Sequence, residues 1–483
     1  MNIKENAKFH ISNYGCQMNY ADAERFATIL ESVGLEATSS MDNADIIIFN
    51  SCSVKQSAED RILGLARYIN KLKAKNPNLV IVLTGCMARR TWRGTTKTGS
   101  PIQMTQQDRE TQLQDTMPWV DYVIESKEFY KLPELLGKPI KHEVADYLSF
   151  KPHLQSSYLG YVPISTGCDH FCTYCIVPFA RGNEICRSSQ EILTEVKTLI
   201  EHGYTDIALL GQTVNRWINP IYDQEYKKGA IANTRIPELN TINLSESEAE
   251  KVILGKTEAK DFLQLLQAID TLPGDFWITF MSSHPNYMTK ELISFMGSSK
   301  HIRPYIHFAL QSGSDAVLKR MNRRYNITEF VEQAKLLKKT IPHLGLSTDI
   351  IVGFPGETEE EFQETAKVMQ ELEFDMAYIS EFSPRKGTPS ALIPDDIPHA
   401  EKTRRKKYLN DEILAKTALN HNESMVGKTF KAIIEKISDK RVMGRTGNYK
   451  EVRVEGAENV EIGQFVDVKI TSATPWALTG VIA

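Results

Sequence analysis

The sequence predicts an α/β protein in three parts: an N-terminal βαβ domain with a parallel sheet, a central partial (β/α)6 barrel, and a small C-terminal β-barrel. Short apolar runs alternate with helical stretches from residue 1 to 145, a pattern typical of βαβ units. Six further apolar runs recur between residues 155 and 400, separated mostly by segments of helical spacing. From residue 420 to 483 the runs become short, β-rich and punctuated by Gly and Asn. We therefore predict domains at 1–145, 155–400 and 420–483.

The N-terminal elements follow from apolar periodicity and from the residues that start or stop helices. Gly34 is predicted to end the first helix, and Ser57 to begin a second one with a capping-box-like Ser57-Ala58-Glu59-Asp60. The polar stretch Thr91–Thr116 has no clean period, and we interpret it as a loop-rich insertion. The first helix is predicted at Ala21–Val33, and the strands at Phe9–Tyr14, Ala44–Asn50 and Leu79–Thr84.

Six apolar runs define the predicted central barrel. No GxGxxG fingerprint follows any of them, so the pattern favours an incomplete barrel over an open dinucleotide-binding sheet. The polar excursion Asn219–Lys256 is interpreted as a surface insertion. The barrel runs are Tyr161–Ser165, Ile207–Leu210, Trp277–Phe280, Ile306–Leu310, Leu346–Val352 and Met376–Phe382. The strands of the tail are predicted at Phe430–Ile437, Glu451–Val454, Phe465–Ile470 and Leu478–Ile482.

Composition sets the broad class of the protein. The chain has 483 residues, is 41% hydrophobic and 24% charged, and has a net charge of −4, which leaves its partners open. Residues 1–6 hold no signal-peptide core and no apolar run is long enough to span a bilayer, so we expect a cytoplasmic protein without a membrane anchor. Seven cysteines without an export signal indicate metal or redox chemistry rather than a disulfide framework.

Three cysteines, Cys168, Cys172 and Cys175, stand on one loop directly after the first predicted barrel strand. Three thiolates can hold three irons of a four-iron cluster and leave the fourth iron open to an outside ligand. The alternative is a zinc site completed by His170. The loop lies at the carboxyl end of a barrel strand, where barrel active sites form, and this position favours the cluster.

The CxxxCxxC spacing of this loop resembles the radical-SAM superfamily. The resemblance implies that S-adenosylmethionine chelates the open iron and is cleaved to a 5′-deoxyadenosyl radical, which makes these three cysteines catalytic. It implies that Tyr174 lies near the adenine and that Gly211 and Gln212 face the methionyl part. It also implies that the stretch from Ile350 to Gly353 lines the nucleoside. Ordinary barrel packing is the alternative for these residues.

Three further cysteines, Cys16, Cys52 and Cys86, each follow the carboxyl end of a predicted N-terminal strand. Parallel strands bring these ends to one edge of the sheet, so thiols that are far apart in sequence can meet there. Three buried structural thiols are the alternative. Cys186 has no partner at ligand spacing, and we interpret it as an inert thiol.

The motifs around these residues resemble the radical-SAM methylthiotransferase family over nearly the entire chain. The resemblance implies a second cluster on Cys16, Cys52 and Cys86 that takes part in supplying sulfur. Two [4Fe-4S] clusters and S-adenosylmethionine are therefore the expected cofactors. The N-terminal motifs are Gly15-Cys16-Gln17-Met18-Asn19, Asn50-Ser51-Cys52-Ser53-Val54 and Thr84-Gly85-Cys86-Met87. The barrel motifs include Cys175-Ile176-Val177-Pro178-Phe179-Ala180-Arg181-Gly182, Gly211-Gln212-Thr213-Val214-Asn215, Ser283-His284-Pro285 and Thr348-Asp349-Ile350-Ile351-Val352-Gly353.

The C-terminal tail resembles a TRAM domain, an RNA-binding barrel found at this position in the family. A small barrel offers a curved face on which basic side chains track phosphates and bases stack. Solvated surface charge is the alternative, and the run Arg404-Arg405-Lys406-Lys407 is likewise either a solvated helix face or a phosphate-contacting stripe. The RNA-binding candidates are Lys428, Lys431, Lys436, Lys440, Arg441, Arg445, Lys450 and Arg453, with Tyr449 as a stacking residue.

Within the family, Gly15–Asn19 and Gly211–Asn215 look most like the branch that methylthiolates carbon 2 of N(6)-dimethylallyladenosine next to the tRNA anticodon. The alternatives are branches that modify threonylcarbamoyladenosine in tRNA or an aspartate of a ribosomal protein. A non-catalytic RNA-binding protein with structural cysteines is the competing class. The resemblance implies a tRNA anticodon stem-loop, a flavodoxin- or ferredoxin-like electron donor and a sulfur source as partners, and a monomeric protein.

Overall fold

A computed structural model describes residues 3–53, 56–88, 93–95, 101–103, 115–140, 147–227, 235–385, 387–438 and 441–483 of the chain. The predicted α/β fold class is confirmed, because a parallel sheet, an incomplete barrel of parallel strands and a closed β-barrel follow one another along the sequence. Within those ranges, no helix combines the length and the apolar character that crossing a membrane requires.

The N-terminal part is a parallel sheet covered by helices on both faces. Alternate residues of its central strand face opposite layers: Ile46 and Ile48 pack with Phe26, whereas Ile47 and Phe49 pack on the other side. Its elements are β1 Lys8–Tyr14, α1 Gln17–Glu31, β2 Glu36–Ala37, β3 Ile46–Ser51, α2 Gln56–Leu63, α3 Ala66–Lys75, β4 Val80–Gly85, β5 Arg93–Thr95, β6 Pro101–Gln103, β7 Tyr122–Val123 and α4 Leu132–Leu135. The strand order is β2-β1-β3-β4-β7, and every neighbouring pair is parallel.

Three details of the N-terminal prediction change. Helix α1 begins four residues early, at Gln17, where the Asn19 side chain accepts a hydrogen bond from the Cys16 backbone N–H at 3.2 Å. Ser57 lies inside α2, so the predicted capping box at this residue is wrong. The predicted loop-rich insertion contains the antiparallel pair of β5 and β6, and the rest of residues 91–114 lies outside the described residues.

The central part is an open barrel of six parallel strands in two three-stranded halves, ordered β12-β11-β8 and β13-β14-β15. Parallel bridges at Ile278–Ile302 and Ser283–Phe308 join the halves. The six barrel strands are β8 Leu159–Pro163, β11 Asp206–Leu210, β12 Trp277–Phe280, β13 Tyr305–His307, β14 Gly345–Val352 and β15 Met376–Glu381, and a separate antiparallel pair is formed by β9 Ser165–Thr166 and β10 Ile185–Cys186. The helices are α5 Val177–Ala180, α6 Ser189–Glu201, α7 Asp223–Lys227, α8 Glu246–Ile253, α9 Phe262–Asp270, α10 Lys290–Ser298, α11 Asp315–Arg320, α12 Ile327–Thr340, α13 Glu359–Leu372, α14 His399–Lys407 and α15 Ala415–Glu423, with a π-helix at Tyr408–Leu414 between the last two.

The two faces of the barrel strands have different chemistry. The main hydrophobic core lies between the strands and the surrounding helices, and Ile306 of β13 is fully buried in it. The alternate residues of β13 and β14 lie on the inner face. There the Ser347 hydroxyl is 2.7 Å from the Tyr305 hydroxyl and 3.0 Å from His307 Nδ1, and His307 Nε2 is 3.0 Å from Asp349 Oδ2. The inner face is therefore polar at these positions of β13 and β14, whereas Ala208 and Leu210 of β11 pack in an apolar cluster with Met18 and Ala21 of α1.

The segment 219–256 is attached more firmly than a surface insertion, so that prediction is wrong for part of it. Ile236 and Leu239 pack with Tyr287 in a small buried cluster. Asn240 is fully buried and donates hydrogen bonds to the Tyr287 and Asn215 carbonyl oxygens at 3.1 and 2.8 Å. Polar residues indicate exposure by composition alone, but here they satisfy buried backbone groups. Residues 228–234 lie outside the described residues.

The C-terminal part is a closed five-stranded barrel with the strand order β16-β17-β18-β20-β19. Its strands are β16 Thr429–Ser438, β17 Arg441–Thr446, β18 Glu451–Glu455, β19 Phe465–Ala473 and β20 Leu478–Ile482. The prediction missed β17, in which Gly444 rather than an apolar side chain occupies a buried position. A Cβ at this position would crowd the Ile433 carbonyl oxygen at 2.7 Å, so the missing side chain lets the strands approach.

Arg303 docks the C-terminal barrel against the amino ends of the central strands. Its side chain is fully buried and forms an ion pair with Asp206 at 2.8 Å. The same guanidinium donates to the Gly447 and Thr446 carbonyl oxygens at 3.1 and 2.9 Å. It lies between the Trp277 and Tyr449 rings, at 4.3 and 4.9 Å from their centroids. One side chain therefore connects both barrels.

We predict that Arg303→Met loosens this contact, because it leaves the Asp206 carboxylate buried without its cation, at a cost of about 3–5 kcal/mol. Hydrogen exchange of the backbone amides at residues 445–450 measures the effect. Arg453→Met is the matched control, since Arg453 pairs with Glu455 at the surface, at 3.7 Å, and its loss should cost about 1 kcal/mol or less. Equal protection of residues 445–450 in both variants would contradict the docking role.

Candidate functional site

The first group of cysteines lies at the carboxyl edge of the N-terminal sheet. Cys16, Cys52 and Cys86 follow β1, β3 and β4. The Cys52 N–H donates to the Tyr14 carbonyl oxygen at 2.9 Å, and the Cys86 N–H donates to the Ser51 carbonyl oxygen at 2.7 Å. The Cys52 and Cys86 side chains are in hydrogen-bonding contact, and Cys16 is close enough to interact electrostatically with Cys86. The structure thus brings this N-terminal trio together.

Two asparagines fix the strand ends that carry these cysteines. Asn19 Nδ2 donates to Asn50 Oδ1 at 2.9 Å, and Asn50 Nδ2 donates back to the Asn19 carbonyl oxygen at 2.7 Å. A Cβ at Gly15 would overlap the Asn19 side chain, and a Cβ at Gly85, where φ is +85°, would overlap the Ser51 carbonyl oxygen. The glycines and asparagines of the three motifs therefore have a structural purpose, which is to hold the cysteine backbones close together.

Cys86 sits in an environment that favours the thiolate. Its hydrogen bond with Cys52 lowers the pKa of Cys86 to about 6, although burial acts in the opposite direction. The positive charge of Arg181 lowers the pKa further, and Arg181 Nε donates a hydrogen bond to Cys86 Sγ at 3.2 Å. Arg181 belongs to the central barrel and directly follows α5. Its contact with a thiol of the other domain could not be predicted from local sequence spacing.

The second group of cysteines occupies the loop between β9 and β10, whose antiparallel pairing closes the base of the loop. Cys168 and Cys172 are buried, and Cys175 is half-buried. The His170 N–H donates to Cys168 Sγ at 3.4 Å, and Arg323 Nη1 donates to Cys172 Sγ at 3.4 Å. Burial raises the pKa of Cys168 to about 11. Burial, followed by the neighbouring Cys172 and Cys168, also raises the pKa of Cys175.

The segment after α11 is hydrogen-bonded to this cysteine loop. The Thr173 N–H donates to the Met321 carbonyl oxygen at 3.1 Å, and Asn322 Nδ2 donates to the Phe171 carbonyl oxygen at 2.9 Å. The same segment carries Arg323, whose guanidinium reaches Cys172. Sequence analysis missed Arg323, because roughly 150 residues separate it from the cysteines and no local pattern marks it.

The arrangement of His170 gives no support to the zinc alternative. Its ring is stacked on His284, with the centroids 4.6 Å apart, and its Nε2 is 3.3 Å from the Tyr287 hydroxyl. Across the residues that the structure describes, no three or more His, Cys, Asp and Glu side chains are arranged to hold a single metal ion, and this is true of the two cysteine trios as well. Zinc needs four donors within about 2.3 Å of one point, whereas a four-iron cluster takes each thiolate on a different iron. Two trios of thiols, each with an arginine donating to one sulfur, fit such a cluster.

The structure places the predicted cofactor contacts unevenly. Tyr174 packs with Ile351 and Phe354 beside the cysteine loop. Gly211 directly follows β11 and lies so close to Ser165 that a Cβ on Gly211 would be 2.8 Å from the Ser165 hydroxyl. The next residue, Gln212, is half-buried. Ile350 is fully buried in the main core, on the other face of β14 from Ile351. The side chain of Ile350 is therefore not brought to the loop. Cys186 lies on β10 at the periphery of the same core.

Gly353 begins a turn that is stabilised by α14, the linker helix between the central strands and the C-terminal barrel. Its φ is +69°, and its N–H donates to Glu357 Oε2 at 2.6 Å. Arg405 Nη1 binds the same carboxylate oxygen at 2.7 Å, and the Arg405 and Glu357 side chains are both almost completely buried. Arg404 pairs at the surface with Glu359 and Glu401. The basic run of α14 thus includes a buried support of this turn, which neither sequence alternative anticipated.

Several of the basic residues proposed for RNA contact are already paired. Lys431 binds Asp275 at 2.6 Å, Arg445 binds Glu435 at 2.7 Å and Lys450 binds Asp375 at 2.8 Å. Tyr449 is stacked on Tyr305 of the central barrel, with the ring centroids 4.3 Å apart. The prediction that Tyr449 stacks on RNA is therefore wrong. The exposed candidates are Lys428, Lys431, Lys436, Arg441 and Arg453, of which Lys431 pairs with Asp275 and Arg453 with Glu455, while Lys440 lies outside the described residues.

Three family models match consecutive parts of the chain. "Uncharacterized protein family UPF0004" matches residues 8–105, the "Radical SAM superfamily" matches residues 162–369, and the "TRAM domain" matches residues 423–483. The matched regions correspond to the parallel sheet, the open barrel and the closed barrel.

Curated relatives match the chain along nearly its whole length. A tRNA-2-methylthio-N(6)-dimethylallyladenosine synthase of Clostridium novyi (strain NT) is 35% identical, covering 99% of this chain and 97% of its own. The enzyme of the same name from Thermoanaerobacter sp. (strain X514) is 33% identical, covering 99% and 93%. Among solved structures, a radical S-adenosylmethionine methyltransferase from Kitasatospora setae aligns with 79% of this chain and 75% of its own, at 11% identity and a TM-score of 0.49.

We predict that Arg405→Gln frees the turn at residues 353–357, because the Glu357 carboxylate stays buried after losing its cation. Hydrogen exchange of the Gly353 amide should accelerate more than about tenfold, since removing one partner of a buried pair costs about 3–5 kcal/mol. The neighbouring variant Arg404→Gln removes an exposed pair and should change this rate by about fivefold or less. A Gly353 amide that exchanges alike in both variants would show that Arg405 does not support the turn.

Proposed function

We propose that this chain, which belongs to the radical-SAM methylthiotransferase family, adds a methylthio group to carbon 2 of N(6)-dimethylallyladenosine next to the anticodon of tRNA. The observation that carries this proposal is the identity of about one third, over the full length, to enzymes that bear this activity in their names. None of those relatives is named for threonylcarbamoyladenosine or for a ribosomal protein, so these alternatives are not favoured.

We propose two [4Fe-4S] clusters, one on Cys16, Cys52 and Cys86 and one on Cys168, Cys172 and Cys175. The donor chemistry supports this, because each trio consists of thiols and each receives an arginine hydrogen bond. When bound, the barrel cluster would supply an electron to S-adenosylmethionine and the N-terminal cluster would take part in supplying sulfur.

The residues of the chain bind, orient and shield these groups in the proposal. Burial of Cys52, Cys86, Cys168 and Cys172 keeps water from the sulfurs, and Arg181 and Arg323 compensate thiolate charge. Tyr174, Gly211, Gln212 and the turn from Gly353 are proposed to contact S-adenosylmethionine. Ile350 would contribute only through its backbone, since its side chain points into the core.

The polar inner face of β13 and β14 is the proposed place for the adenosine. Asp349 and Tyr378 are partly exposed there, and His307 bonds Asp349, so hydrogen-bonding groups are available to a base. Bases of a single-stranded RNA loop can leave the stack and enter such a pocket. Lys428, Lys436, Arg441 and Arg453 of the C-terminal barrel are the proposed phosphate contacts. We further propose a cytoplasmic monomer that takes electrons from a flavodoxin- or ferredoxin-like donor and sulfur from a separate source.

We predict about eight irons per chain for the anaerobically reconstituted protein, as expected for two four-iron clusters. Cys172→Ala should hold about four irons and lose cleavage of S-adenosylmethionine, because the barrel site is left with two thiolates. Cys52→Ala should also hold about four irons but retain cleavage. Iron and sulfide analysis, together with detection of 5′-deoxyadenosine, measures both properties. Cys186→Ala is the matched control and should behave like the unchanged protein. Full iron content in Cys52→Ala would contradict the N-terminal assignment.

We predict that tRNA from cells lacking the gene contains N(6)-dimethylallyladenosine without a methylthio group, in place of the methylthiolated nucleoside. Mass spectrometry of digested tRNA measures this, and restoring the gene should restore the modification. A methylthio group lost instead from threonylcarbamoyladenosine, or from a ribosomal aspartate with the tRNA unchanged, would contradict the proposed substrate.

A further inference from the structure

Arg181 belongs to the central barrel but binds two side chains of the N-terminal domain. Its Nε donates to Cys86 Sγ at 3.2 Å, and its Nη2 donates to Asp22 Oδ2 at 2.8 Å. Both side chains of the ion pair are buried, with 5% of Arg181 and none of Asp22 exposed. A full positive charge is thus held against one sulfur of the N-terminal trio, away from water.

The position of this charge is fixed from both sides. Asp22 lies on α1, the helix that begins next to Cys16, and its second oxygen accepts a hydrogen bond from the buried Tyr147 hydroxyl at 2.9 Å. On the other side, Arg181 follows α5, which follows Cys175 of the barrel trio. Cys175 of the barrel trio and Arg181, which contacts the N-terminal trio, are therefore only six positions apart in the sequence.

Attachment of the two domains does not explain this arrangement. Arg25, fully buried on α1, already forms an ion pair across the same interface with Glu195 at 2.6 Å, and its guanidinium also donates a hydrogen bond to the Ala21 carbonyl oxygen at 3.3 Å. Buried ion pairs add little net stability, because the loss of hydration offsets their attraction. The feature that distinguishes Arg181 from Arg25 is its hydrogen bond to sulfur.

We propose that Arg181 is a positioning residue that sets the reduction potential of the cluster on Cys16, Cys52 and Cys86, an inference that rests on the proposed two-cluster function. A positive charge and a hydrogen bond at a ligand sulfur stabilise the reduced state of a cluster, which carries one more negative charge. Asp22 holds the guanidinium in place and partly cancels its charge. The barrel domain thereby adjusts a site whose ligands all belong to the other domain.

The test is the midpoint potential of the N-terminal cluster in the full-length, anaerobically reconstituted protein, measured by redox titration with electron paramagnetic resonance. Arg181→Leu should shift this potential to a more negative value, by at least about 59 mV, which is a tenfold change in the ratio of reduced to oxidised cluster. Arg181→Lys keeps the charge and should shift it less. Asp22→Asn removes the opposing charge but keeps an oxygen that can accept the hydrogen bond from Arg181 Nη2, so it should shift the potential to a more positive value.

Opposite signs for Arg181→Leu and Asp22→Asn are the decisive result, because a purely structural loosening of the interface would shift both potentials in the same direction. Arg25→Leu is the matched control, which breaks an interface ion pair without touching a cysteine and should leave the potential nearly unchanged. Shifts of one sign, or an equal shift in Arg25→Leu, would overturn the inference. If the unchanged protein held only one cluster, the proposed function would fail instead, and iron analysis of each sample distinguishes the two failures.

Discussion

The architecture of the site depends on one geometric constraint: parallel strands end at a common edge of their sheet. Cys16, Cys52 and Cys86 are spread over about seventy residues, yet each follows a strand of the same sheet, so folding brings them to one edge. The barrel trio needs no such help, because Cys168, Cys172 and Cys175 share a loop. The two trios are built by different means, and the short segment from Cys175 to Arg181 connects them.

Buried arginine side chains connect consecutive parts of the chain. Arg181 reaches from the central barrel to Cys86, Arg303 reaches the turn of the C-terminal barrel, and Arg405 reaches from the linker helix to Glu357. Each guanidinium is almost completely buried and binds a carboxylate. The planar, multidentate geometry of Arg suits such contacts better than the ammonium group of Lys. Arg181 contacts the N-terminal trio and Arg405 supports the turn at Gly353, whereas Arg303 holds the C-terminal barrel at the other end of the central strands.

The predictable features are those with a local signal in the sequence. Apolar runs identified the strands, and the CxxxCxxC spacing identified the barrel loop. The features that were missed have no local signal. In β17 a buried position is occupied by Gly444 rather than by an apolar residue. Asn240 is buried although the segment around it is as polar as a surface loop. Arg323 contacts Cys172 only in the folded chain, because the two residues are far apart in sequence. Three residues of the predicted RNA surface already have partners within the protein: Arg445 pairs with Glu435, Lys450 pairs with Asp375, and Tyr449 stacks on Tyr305. The spacing of basic residues in the sequence cannot reveal these contacts.

We propose an arrangement in which two trios of thiols each hold an iron cluster and Arg181 connects them. A crystal structure of the anaerobically reconstituted protein, with anomalous data collected at the iron absorption edge, tests it most directly. We expect two separate iron centres, one bonded to the sulfurs of Cys16, Cys52 and Cys86 and one to the sulfurs of Cys168, Cys172 and Cys175. A single centre, or a metal ion bonded to His170, would contradict it.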